Sequence, residues 1–101
     1  MPISVVLETE NGDEIERLED STNILHRLLP HEDDNSYQHL RFIDWYGDTV
    51  FNRLQMDSLK VEWSRLKQAA DIKELFFLEQ VDGLIFQCQT NPHQYLRFIG
   101  D

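Results

Sequence analysis

The four histidines and the single cysteine are the side chains best suited to metal or nucleophilic chemistry. His31-Glu32-Asp33-Asp34, followed by His39, could offer imidazole and carboxylate ligands. Cys88 and His93 could add a thiolate and another imidazole. Zinc requires three or four convergent ligands, usually closely spaced. The chain contains no CxxC, HxxxH or HExxH, and such spacings are what mark a site. The acidic run also lacks the alternating oxygen ligands and the glycine of a calcium loop. Ser21, Ser36, Ser58 and Ser64 have no nucleophile-elbow glycines around them. With four glycines in the whole chain, there is no glycine-rich cradle for phosphate. Cys88 falls on an expected apolar stripe, where burial suppresses thiolate formation. Neither a metal nor a cofactor is therefore expected, and the reading leans against an enzyme.

Charge says more than any motif. The formal net charge is −10, and it is uneven. Residues 1–35 hold ten acids against two bases, which places about −8 of the total in the first third. Such a field repels phosphate backbones and anionic membrane surfaces. It attracts a basic partner and speeds its approach, most strongly at low salt. No nucleic-acid or membrane contact is expected. The candidate partner-binding residues are Glu14, Glu16, Glu32, Asp33 and Asp34, with Trp45 and Tyr46 as aromatic anchors beside a turn. Arg41, Arg53 and Arg97 fall on expected strands and, if they converge, would bind an anion. Otherwise Glu8, Glu16, Asp44 and Asp48 would pair with them across the sheet.

These residues must be positioned by ordinary elements. The apolar share is 41 %, a globular composition, and 101 residues suit one domain, 1–101. Residues 3–9 read as a strand, and Asn11-Gly12 as a hairpin turn. Residues 14–18 read as a short or bulged return strand. Ser21 or Thr22 would cap a helix over 22–29, ended by Pro30. Residues 40–46 and 49–54 suggest a second hairpin, spanning 39–54 and turning at Gly47-Asp48.

Leu59, Trp63, Leu66 and Ala70 recur at the helical period, predicting a helix over 58–69. Residues 72–90 fit either a helix or a hairpin turning at Asp82-Gly83. The helix is preferred, because it gathers Phe77, Leu78, Val81, Leu84, Ile85 and Cys88 within roughly 120° of arc. Asp71 and Glu74 fit a capping box in front of it. Phe76 and Phe86 fall off that stripe, so a homodimer or partner contact through the 72–90 helix is expected. Residues 94–101 read as a last strand that repeats the Leu-Arg-Phe-Ile of 40–43. The expected fold is α+β in the order β-β-α-β-β-α-α-β. Its sheet, antiparallel or mixed, has about five strands, with helices packed on one face.

The run LRFIDWYGDTVFNRLQM and the ending YLRFIGD carry a resemblance. The chain resembles, over residues 24–101, small bacterial proteins that share these segments, a group without an established activity. In size and acidity it is also similar to the immunity proteins that block secreted bacterial toxins. With one cysteine no intrachain disulfide can form, which favours a reducing compartment. The opening MPISVVLETENGDE has neither a basic region nor an apolar run like those of a signal peptide. A cytoplasmic protein is expected.

The leading expectation is thus a non-enzymatic, acidic module that binds another protein with a basic surface, in an immunity or inhibitor role. The alternative is a small-molecule or anion-binding module built on Arg41, Arg53 and Arg97. A metal-dependent enzyme at the His31–His39 loop is the weaker third.

Overall fold

A computed structural model describes residues 3–100. The fold is α+β, and among the described residues four strands form one antiparallel sheet in the order β2-β1-β4-β3. The strands are β1 (Ser4–Thr9), β2 (Glu14–Glu19), β3 (Asp48–Asn52) and β4 (Gln94–Ile99). Helix α1 (Ile24–Leu28) follows β2, while α2 (Met56–Ala69) and α3 (Ile72–Thr90) join β3 to β4. Asp101, at the end of the expected last strand, lies outside the described residues.

The strand alternation separates two sheet faces. Val5, Leu7, Phe51, Leu96 and Phe98 point into the core, with Leu18 packed beside them. The opposite face carries Arg97, in register with Val6 on one side and Val50 on the other. Arg97 Nη2 lies 2.8 Å from Glu8 and Nη1 3.0 Å from Asp48. The β1–β2 register shifts between Leu7 and Glu8, the bulge expected of an irregular return strand. In the preceding turn Gly12 has a φ of 85°, where a side chain would be strained.

Helices α2 and α3 run back along one another. Trp63 Nε1 donates to the Leu78 carbonyl at 2.9 Å, and Lys67 pairs with Asp82 across the two helices. The ambiguous stretch 72–90 is helix. Its six stripe residues, Phe77, Leu78, Val81, Leu84, Ile85 and Cys88, are all buried. Asp71 and Glu74 form the reciprocal capping box, each side chain accepting the other's main-chain amide at 2.9 Å. Gly83 sits inside this helix and costs it about 1 kcal/mol relative to alanine.

The strand expected over 49–54 stops at Asn52, leaving Arg53 in a 3-10 turn, and two larger expectations fail between residues 20 and 47. Ser21 and Thr22 do not cap α1, whose first turn is preceded by Asn23 in a left-handed conformation (φ 57°). Asp20 replaces them, its carboxylate accepting from Ile24 N and Leu25 N at 2.8 Å each. Residues 40–46 are not a strand. Leu40–Phe42 is a 3-10 turn followed by a loop, so the sheet has four strands rather than five. A buried carboxylate holds the start of this turn. Glu62 of α2 takes the amides of Gln38 (2.7 Å), His39 (3.2 Å) and Leu40 (2.9 Å). Of the expected strand, Leu40 N is taken this way, Phe42 N and Ile43 N close the turn on the His39 and Leu40 carbonyls, and Asp44 N and Tyr46 N bond to the Thr49 and Asp44 side chains. The two Leu-Arg-Phe-Ile copies accordingly differ: one is a 3-10 turn, the other is the strand β4.

Candidate functional site

The segment displaced from the sheet builds one side of a groove. Its volume is about 890 Å³, and it lies between the end of α1 with the following loop and the stretch 40–46. The first wall is His26, Leu29, Pro30, His31, Glu32 and Asp33. The second includes Arg41, Phe42, Asp44, Trp45 and Tyr46.

Each wall is held by a buried acid. Asp20 (1 % exposed) fixes the start of α1, and Glu62 (5 % exposed) fixes the start of the 3-10 turn. A carboxylate accepting several main-chain amides makes charge-assisted bonds, roughly twice as strong as neutral ones. The far end of the second wall is pinned by glycine. Gly100 N donates to the Gly47 carbonyl at 2.7 Å. A Cβ at Gly100 would collide with the main-chain oxygens of Asp44 and Trp45. Within the turn, Asp44 Oδ1 accepts from Tyr46 N at 2.8 Å, and Asp44 N donates to Thr49 Oγ1 at 2.9 Å.

Inside the groove the His26 and Trp45 rings pack against one another at 4.5 Å between centroids, tilted by 37°. Tyr46 is 84 % exposed at the mouth. Arg41 ties the walls together, with Nη1 donating to the Glu32 carbonyl (3.1 Å) and to Asn35 Oδ1 (3.2 Å). Its guanidinium lies 4.3 Å over the Phe42 ring. Arg41 Nε is buried and has no acceptor among the described residues. The lining thus carries three carboxylates, Glu32, Asp33 and Asp44, against one guanidinium. Such a lining favours a cationic guest, and an indole face adds attraction for it.

Of the residues singled out in the sequence, the groove brings together Glu32, Asp33, Trp45 and Tyr46, with Arg41 beside them. Asp34 follows directly, its carboxyl held below the usual range by the Ser36 hydroxyl and amide. Glu14 and Glu16 are elsewhere, exposed on the edge strand β2, where Glu14 pairs with Arg17 at 2.9 Å. The three arginines do not share one environment. Arg97 is engaged by Glu8 and Asp48 on the open sheet face. Arg53 begins the 3-10 turn after β3.

The metal-ligand candidates scatter as well. His39 packs edge-on against Phe51 at 5.8 Å, and His93 Nδ1 meets Glu10 at 3.0 Å. Among the described residues no group of three or more His, Cys, Asp or Glu side chains could hold a metal ion. Cys88 is buried, with Sγ 3.5 Å from the Gln94 carbonyl. That burial pushes its thiol up to about 11.

Sequence reasoning passed over Asp20, Glu62, His26 and Phe42. For Glu62 a signal was present. It occupies an apolar position in the 59-62-63-66 spacing of α2, between Leu59 and Leu66, and a carboxylate there needs buried donors. Among the described residues no helix is long and apolar enough to cross a membrane. No protein-family model, curated protein or solved structure matches this chain.

Proposed function

We propose that the groove beside α1 binds a lysine- or arginine-bearing segment of another protein. The supporting observation is that Glu32, Asp33, Trp45 and Tyr46 line one groove with Asp44 and His26. A basic side chain entering it would meet the Trp45 ring and carboxylates together. Each contact then strengthens as water leaves. The groove volume, about 890 Å³, lies within the range of specific ligand sites, roughly 300–1,000 Å³. The net charge of −10 would accelerate encounter with such a partner. An inhibitor or immunity protein acting on a basic target, in the cytoplasm, is one form of this reading.

The test is a titration with arginine-rich and lysine-rich peptides at low and physiological salt. Tryptophan emission reports on the site, because Trp45 is in the groove and Trp63 is fully buried. Glu32→Lys with Asp33→Lys should weaken binding about tenfold or more, equivalent to about 1.4 kcal/mol. Trp45→Ala should weaken it at every salt concentration. Equal binding by the wild type and the double charge reversal would remove the proposal.

A second reading rests on Arg41 alone. Its buried, unpartnered Nε would favour a small carboxylate or phosphate reaching past the acidic rim. A thermal shift with small anions that Arg41→Ala abolishes would favour this reading over the first.

A further inference from the structure

We propose that two copies of this chain pair through the outward face of α3, antiparallel, about a two-fold axis at Val81. The proposal does not rest on the groove. At 100° per residue, Ile72, Phe76, Glu79, Gly83, Phe86 and Thr90 fall within roughly 80° of arc. All six are exposed, and they lie opposite the buried stripe centred on Val81. Ile72 is 86 % exposed, Phe76 71 % and Phe86 60 %. This face therefore presents large apolar side chains that the core does not use.

The spacing reads the same in both directions. Phe76 and Phe86 are equidistant from Val81, as are Ile72 and Thr90, and Glu79 and Gly83. An isologous interface needs this property, since each residue i must meet j while j meets i. In the antiparallel register Phe76 packs on the partner's Phe86. The long Glu79 side chain crosses the helix backbone where the partner's Gly83 offers none. Glycine is a poor helix former, and the monomer does not require it here: a Cβ at Gly83 would meet nothing within 4 Å. A close approach from outside accounts for its place in the stripe.

Area and charge agree with a second copy as the occupant. Aromatic side chains bury about 150–250 Å² each. The two phenylalanines and Ile72 thus supply on the order of half of the roughly 800 Å² per partner of a standard interface. Residues 56–90 hold six acids and four bases, against ten and two in 1–35. The α2–α3 layer therefore repels a copy of itself far less than the first third would.

Sedimentation of the full chain from about 10 to about 500 µM should show a monomer–dimer equilibrium in that range of affinity. Phe76→Ser with Phe86→Ser should shift it to monomer at least tenfold. Gly83→Leu should weaken the dimer as strongly while leaving the helical circular dichroism intact. The register is read by mixing Glu79→Cys and Gly83→Cys copies. Antiparallel pairing gives the mixed disulfide well beyond the twofold excess over either homodisulfide that random pairing produces. A wild-type chain monomeric throughout, or a dimer unmoved by the phenylalanine pair, would overturn the interface. A statistical 1:2:1 mixture, or an excess of the homodisulfides, would overturn its register.

Discussion

Two regions of this molecule are built by different physics. Helices α2 and α3 and the strand β4 are held by repeating apolar patterns, with Trp63, Leu66, Leu78, Val81, Ile85 and Phe98 at their common core. The segment 20–47, which walls the groove, has only a five-residue helix and a three-residue 3-10 turn. Its path is set by single contacts to its backbone: the Asp20 carboxylate at one end, the Glu62 carboxylate in the middle, and the main-chain bond from Gly100 to Gly47 at the other. In the first region stability is distributed over many contacts. In the second a smaller apolar contribution, from Ile24, Leu25, Tyr37, Leu40 and Ile43, is joined by a few charge-assisted bonds that set the path of the chain. A protein with a rigid frame can thus carry an irregular site, provided the frame lends it buried acceptors.

The largest expected effect lies in the frame. Trp63→Ala should cost about 4 kcal/mol and lower the denaturation midpoint for every probe together, groove and helices alike. Glu62→Ala removes the acceptor of three amides and should cost about 3 kcal/mol. The region-specific readout is hydrogen exchange. Residues 38–40 should lose protection before α3 does, and Glu62→Gln should recover part of the loss. Uniform loss across the chain would erase the distinction between the two regions.

Asp20→Ala should cost about 2 kcal/mol, with the amides of Ile24 and Leu25 most affected. Gly100→Ala forces the 44–47 turn away from β4 and should cost about 1–2 kcal/mol. It should also change Trp45 emission while leaving Trp63 unaltered.

The smallest effect is a pH dependence at the junction of the two regions. Arg27 of α1 pairs with Glu74 of α3. The Arg27 guanidinium, with the Asp71 amide, holds the Glu74 carboxyl down to about 2, from an ordinary 4.5. Because the folded value lies below the unfolded one, this contribution is present above about pH 4.5 and fades as pH falls towards 2. In Glu74→Gln that part of the acid sensitivity should vanish. An unchanged acid profile would show that the pair does not tie α1 to the frame.

Much of the frame was legible from residue order alone. The 3.6-residue period placed α2 and α3, the Asp71–Glu74 spacing placed a cap, and the outward positions of Phe76 and Phe86 followed from the same wheel. Local rules suffice there because neighbours along the helix set both conformation and burial. The site was legible only by composition. Acidic and aromatic residues were visible in 32–46, but not that they would face one another across a groove.

What the sequence by itself determined is therefore the helical pair, four of the five expected strands and the unequal charge. What only the tertiary structure decided is the path of residues 20–47. Leu-Arg-Phe-Ile at 40–43 has the same side chains as its copy in β4, and both flanks of β4 are occupied, by β1 and β3. The earlier copy instead meets Glu62, a carboxylate more than 20 residues away that accepts from Leu40 N. A short segment with two compatible conformations takes the one whose main-chain donors find acceptors, and those acceptors come from parts of the chain that meet it only after folding.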